Sequence, residues 1–232
     1  MEVINRPDYT EKVKKLFGKG FIIALTGQRR VGKSFIMRQV IKELSQDSAA
    51  HVIYIDKDNE EFSFVQSHEE LTKYVKSNLL SNKRNYLFVD EIQNIKEFEV
   101  SLRSFHTNDE CEMVITGSNA KMLSSELSTY LSGRCVEYHI QSLDYREFLT
   151  FHRLSDNNQS LHSYLKYGGL PQLHRIGLEE TELVDDYLKN DAIKKGEISS
   201  NFDYEVLTEN TSINNAEYVR IQQKINGIPV YE

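Results

Sequence analysis

The chain contains no apolar run approaching the roughly 18 residues that a membrane-crossing helix needs. Its opening, MEVINRPDYT, lacks the basic-then-apolar layout of a secretory signal. The two cysteines, Cys111 and Cys135, form no close-spaced pair, which argues against a disulfide scaffold or a zinc knuckle. The seven histidines are scattered, without H-x-x-x-H or Cys/His grouping, so no transition-metal site is expected. No internal repeat is present. Together these absences describe a cytoplasmic protein with no membrane partner.

Of the 232 residues, 39% are hydrophobic and 27% charged, close to the average of folded soluble domains, which argues against wholesale disorder. The net charge of −7 is unevenly spread. Residues 1–50 hold ten Lys/Arg against five Asp/Glu, whereas residues 51–232 hold eighteen against thirty. An acidic chain is a poor electrostatic match for continuous nucleic-acid binding, so charge does not support a DNA partner. A basic first quarter suits a phosphate-handling site, and equally a solvated helix face.

Short apolar runs alternate with helical periodicity, the pattern of a parallel α/β sheet. Phe21–Leu25 is apolar throughout, as a strand buried on both faces should be. Ile36, Met37, Val40, Ile41 and Leu44 then recur at helical spacing. Further strands are expected at Val52–Ile55, Tyr86–Val89, Met113–Thr116 and Val136–Ile140, with helices near 69–80, 96–106 and 120–131. Beyond Leu143 only helices are expected, broken at Tyr167-Gly168-Gly169-Leu170-Pro171, where two glycines and a proline cannot continue a helix. The domains so read are 1–142, a sheet domain, and 143–191, a small helical lid. Residues 192–232 form an Asn- and Ser-rich tail.

Gly27-Gln28-Arg29-Arg30-Val31-Gly32-Lys33-Ser34 matches GxxxxGK[ST] directly after a strand and at the opening of a helix. In that setting backbone N–H groups of the loop cradle phosphate oxygens beside the positive end of the helix. Lys33 reaches the β- and γ-phosphates and Ser34 offers a hydroxyl to Mg²⁺. Chance supplies the four fixed positions in roughly one chain in a hundred of this length. Phe35, next in line, is counted with the nucleotide-binding residues.

Tyr86–Val89 runs into Asp90 and Glu91, a buried strand ending in two carboxylates. Such acids are costly unless they serve something, and a cation beside the phosphate loop is one such purpose. Asp90 is the expected metal residue and Glu91 the general base that polarises water. GTPases usually carry DxxG here, but position 93 is Gln, and Asp56-Lys57-Asp58-Asn59 is only a shuffled likeness of a guanine motif. Adenine is therefore the expected base, and hydrolysis rather than transfer the expected chemistry. Met113–Thr116 leads into Gly117-Ser118-Asn119, where Ser118 or Asn119 could orient the attacking water or touch the γ-phosphate, although turn chemistry alone explains the same residues. Arg134, in Leu131-Ser132-Gly133-Arg134, is either a helix-end charge or an arginine finger, acting in cis or from a neighbouring subunit.

Taken together, GQRRVGKS, YLFVDEIQ, the strand ending TGSNA, LSGR and YGGLPQ resemble, in order and spacing, the AAA+-like P-loop ATPases. More narrowly they are similar to the prokaryotic archaeal-type ATPase group near the STAND NTPases. The resemblance covers about residues 4–190. It implies a sheet in the order 5-1-4-3-2 with helices on both faces and a helical lid. It also implies ATP and Mg²⁺ as cofactors, Ser118 or Asn119 as the first sensor, Pro171 packed on adenine, and Arg6 near the base. Relatives commonly continue into a winged-helix-like part and sometimes a nuclease-like part. Residues 192–232 do not look like either, which leads us to expect a truncated product, a frameshifted tail or a minimal variant. The expected activity is Mg²⁺-dependent ATP hydrolysis coupled to rearrangement of the lid or of a protein client, with a homo-oligomer as one assembly. The alternatives are a nucleotide-gated STAND-like switch with little turnover, or a DNA-associated ATPase fragment.

Overall fold

The computed structural model describes residues 5–117 and 129–171. Ser118 and Asn119, most of the expected helix 120–131, the end of the lid and the tail 192–232 lie outside the described residues. Two compact units divide the chain, residues 1–27 with 32–140, and residues 28–31 with 141–232. Four loop residues, 28–31, group with the helical unit.

The first unit is built on five parallel strands, β1 (Ile22–Thr26), β2 (Ala50–Asp56), β3 (Arg84–Asp90), β4 (Glu112–Thr116) and β5 (Cys135–His139), in the order β2-β3-β4-β1-β5. This is the expected order read from its other edge. Every strand begins within about two residues of its apolar run. β1 lies between β4 and β5 and is buried along its whole length, as its unbroken Ile22-Ile23-Ala24-Leu25 requires.

Strand side chains alternate, and the two faces bury different sets. Ile22, Ala24, Ile53, Ile55, Leu87, Val89, Met113 and Ile115 join one core with Leu71 and Val75 of α3 (His68–Asn78) and with Leu102 and Phe105 of α4 (Phe98–Thr107). The opposite face carries Ile23, Leu25, Phe88 and Val114. There α2 (Lys33–Leu44) buries Ile36, Met37 and Val40, and α1 (Pro7–Lys14) packs on α2. The Ser67 capping box, reciprocated by Glu70, starts α3. Both cysteines are half-buried, and burial pushes each thiol up to about 12.

The second unit contains α5 (Tyr145–His152), begun by the Asp144/Glu147 capping box, and α6 (Asn158–Tyr167), capped by Asn157. Phe148 is fully buried with its ring 5.2 Å from that of Tyr164, whose hydroxyl donates to the Leu143 carbonyl at 3.1 Å. Gly168 ends α6 at φ 73. The Gly169 carbonyl accepts the Leu143 N–H at 2.7 Å, so close that an added Cβ would stand 2.0 Å from the Leu143 carbonyl oxygen. The YGGLP break is thus a helix stop followed by a backbone-on-backbone contact. Gly169→Ala is expected to destabilise this unit by about 3 kcal/mol or more. Faster amide exchange across residues 143–167, with exchange in β1 and β3 unchanged, checks it.

Candidate functional site

In a parallel sheet the carboxyl ends of all strands lie together, and ligands bind beyond them where neighbouring strands are connected in different directions. Here the chain leaves β1 at Thr26, enters α2 and crosses to β2 at the far edge. Thr26, Asp56, Asp90 and Thr116 are the last residues of β1, β2, β3 and β4.

The loop between β1 and α2 has unusual backbone geometry. Gly27 adopts φ 130 and Gly32 φ 105, and Arg30 also lies in the left-handed region at φ 67. A Cβ on Gly27 would stand 2.3 Å from the Ile140 carbonyl oxygen, so only glycine fits. A Cβ on Gly32 would meet nothing within 4 Å, which leaves open space before the helix. Gly32 is the N-cap of α2, no side chain caps it, and the first turn carries no acid. Its N–H groups and the positive end of the helix therefore suit an anion. Lys33 is buried, with its ammonium donating to the Gly27 carbonyl at 2.9 Å. Phe35 is exposed, with the Arg38 guanidinium 5.9 Å from its ring centre.

Asp90 is 3% exposed. Its Oδ1 accepts the Ser34 hydroxyl at 3.1 Å and also the Thr116 hydroxyl. Burial pushes the Asp90 carboxyl above its ordinary value, while these two hydroxyls pull it down and Asp56 and Glu91 push it further up. A cation here would oppose that desolvation. Ser34 and Asp90 are oxygen donors within hydrogen-bond reach of each other, a set that fits Mg²⁺ rather than a softer metal.

Glu91 sits at φ 54, in the left-handed region, and starts a short 3₁₀ turn over Ile92–Asn94. Its N–H donates to the Thr116 hydroxyl at 2.9 Å, and its carboxylate accepts the Gln93 side-chain amide. Thr116, the last residue of β4, therefore ties that strand to the end of β3 through both Asp90 and Glu91. Its place at the end of an apolar run disguises it in the sequence, where the two residues beyond Gly117 draw attention instead. Tyr54, Asp56 and Arg38 also belong to this cluster. The Tyr54 hydroxyl is 3.2 Å from Asp56 Oδ2 and 3.5 Å from Asp90 Oδ2, and Arg38 reaches Asp56 at 3.1 Å. Burial is the largest influence on the Tyr54 phenol and pushes it up to about 12, so it keeps its proton.

Arg134 is exposed in the turn before β5, and its carbonyl accepts the N–H of Ile22, the first residue of β1. β1 separates that point from the phosphate loop by about 13 Å, counted at 3.3 Å per residue. Arg134 lines instead a hollow of about 420 Å³ with Arg103, Ser104 and Thr107 of α4. Arg6 is buried just before α1, its guanidinium 4.6 Å from the Tyr9 ring centre and its N–H donating to Gln39 at 3.3 Å. Pro171, in the second unit, follows the contact of Gly169 with Leu143. No helix among the described residues is long and apolar enough to cross a membrane.

Comparison with known proteins agrees with this geometry. The AAA domain family matches residues 19–149, more than half of the chain. An uncharacterized protein of Haemophilus influenzae is 32% identical over 74% of this chain and 44% of its own. An uncharacterized protein of Methanocaldococcus jannaschii is 27% identical over 88% of this chain and 46% of its own. The chain thus spans less than half the length of these curated relatives. Among solved structures, Cdc6p from Pyrobaculum aerophilum shares the fold, with a TM-score of 0.54 at 14% identity over 84% of this chain and 64% of that one. With its parallel five-stranded sheet and its glycine loop between β1 and α2, the chain belongs to the AAA domain family and is an AAA+-like P-loop ATPase by architecture.

Proposed function

We propose that the chain binds ATP with Mg²⁺ and hydrolyses it. The observation that carries this reading is the Ser34–Asp90 pair at the open N-terminus of α2, with Glu91 on the adjoining turn. Phosphate oxygens are received by the N–H groups of the loop Gly27–Ser34, and the Lys33 ammonium transfers its bond from the Gly27 carbonyl to the β- and γ-phosphates. Ser34 and Asp90 hold Mg²⁺, which neutralises charge on the phosphate oxygens when bound. Glu91 accepts a proton from the attacking water, the γ-phosphoryl group passes to that water's oxygen, and ADP leaves. Thr116 holds the turn that aims Glu91, and Ser118 or Asn119 is assigned to γ-phosphate sensing. Arg6 and Pro171 are assigned to the adenine end.

Arg134 lies at the wrong end of β1 to serve its own phosphate loop. We assign it to a neighbouring copy, which makes turnover depend on assembly. Arg134→Ala is expected to lower turnover at least about tenfold while leaving ATP affinity unchanged. Partial rescue by mixing with Lys33→Ala chains, measured by phosphate release, checks the assignment. The protein client remains whatever the nucleotide-driven rearrangement acts on.

A second reading, a nucleotide-gated switch with little turnover as in STAND-like proteins, is favoured by the Gln93 amide on the Glu91 carboxylate. A base held in this way activates water only after that contact opens. Thermal unfolding with ATP and Mg²⁺ tests the binding common to both readings. At ligand a hundredfold above its dissociation constant, the folded state gains about 2.7 kcal/mol, a rise of a few degrees. An unmoved midpoint at millimolar ATP contradicts both.

A further inference from the structure

We propose that Tyr54 is a positioning residue for Asp90, orienting its carboxylate toward the cation and leaving Arg38 to neutralise the neighbouring Asp56. This rests on the reading of Ser34 and Asp90 as the Mg²⁺ residues.

β2 and β3 pair in parallel with Asp56 opposite Asp90, so two carboxylates end side by side on adjacent strands. Like charges so placed repel. Strand alternation turns Ile53 and Ile55 into the core and sends Tyr54 to the other face, where α2 carries Arg38. The phenol has one proton and two acceptors in reach, Asp56 Oδ2 at 3.2 Å and Asp90 Oδ2 at 3.5 Å. Asp56 Oδ2 already receives Arg38 Nη2 at 3.1 Å, a charge-assisted bond. Arg38 Nε donates to the phenol oxygen at 3.4 Å, which polarises the O–H. With Asp56 so satisfied, the phenol proton is available to Asp90 Oδ2.

On the other side of that carboxylate, Oδ1 takes the hydroxyls of Ser34 and Thr116. The carboxylate is thus held at Oδ1 by two hydroxyls and approached at Oδ2 by the phenol at 3.5 Å. When the Ser34 hydroxyl turns to a cation, one grip on Oδ1 is given up, and Tyr54 keeps the carboxylate plane from rotating. Outer partners of this kind commonly change metal affinity 10- to 100-fold when removed.

The probe is Mn²⁺ bound in the presence of ADP and followed by electron paramagnetic resonance. Nucleotide affinity is measured separately in EDTA. Tyr54→Phe keeps the ring and removes only the hydroxyl. It is expected to weaken Mn²⁺ binding about tenfold while ADP affinity in EDTA stays within about twofold. Arg38→Gln is expected to weaken Mn²⁺ in the same direction and by less, since the phenol then shares its proton with an unneutralised Asp56. Unchanged Mn²⁺ affinity in Tyr54→Phe overturns the inference, as does an equal loss of Mn²⁺ and of metal-free ADP binding. Asp90→Asn separates this failure from failure of the underlying reading. If that variant binds Mn²⁺ as the parent does, the metal site itself is wrong. If it loses Mn²⁺ while Tyr54→Phe does not, only the role of Tyr54 falls.

Discussion

Replacing Glu91 by Gln is expected to reduce ATP turnover by about 10²- to 10⁴-fold, the range that a positioned general base contributes. ATP affinity should remain within a few-fold, because the proposed role gives this side chain to the attacking water and not to the nucleotide. The geometry explains why the effect should be confined to chemistry. The Glu91 backbone, at φ 54, is held through its N–H by Thr116, and the amide of Gln retains the shape of the turn. Single-turnover hydrolysis beside equilibrium ATP binding separates the two quantities. Turnover unchanged in Glu91→Gln would remove the base from this residue. A matching loss of binding would mean that the substitution disturbs the loop instead.

The second large effect is expected at Lys33. In the structure its ammonium is buried and bonded to the Gly27 carbonyl, six residues earlier. Lys33→Ala removes the ammonium proposed to meet the phosphates, together with its bond to the Gly27 carbonyl. A charge-assisted bond contributes about 1.5–3 kcal/mol, and two phosphates are served. A loss of about 10²-fold or more in ATP affinity is therefore expected, with turnover falling further. The difference between ATP and adenosine binding is the sharper readout, since adenosine has no phosphate for Lys33 to meet.

Much of the frame was legible because it depends on local pattern. Ile22–Leu25 is apolar at every position and folds as the central strand. The expected helix at 69–80 forms at His68–Asn78 behind a capping box that Ser67 and Glu70 spell out. The phosphate loop is recognisable because its geometry requires glycine at Gly27 and favours it at Gly32.

What was not legible depends on register and on sheet ends. Asp56 joins Asp90 only because β2 and β3 pair with those positions opposite, a fact of tertiary structure that no spacing announces. Lys57, part of the shuffled guanine likeness, is used locally, donating to the carbonyls of Phe62 and Val65 at 2.6 Å each. Thr116 reads as the last residue of a buried strand, yet its hydroxyl joins Asp90 to Glu91. For Arg134, the sequence shows an arginine before a strand but not that this strand end faces away from the phosphate loop. The Ile22–Arg134 backbone bond supplies that direction.

The most direct test of the central claim is calorimetric titration of the chain with ATP, with Mg²⁺ and again in EDTA, alongside Lys33→Ala. The account predicts saturable binding at one site per chain, tightened by Mg²⁺ and weakened about 10²-fold in the variant. Equal binding by parent and variant, or no binding by the folded parent, would contradict it.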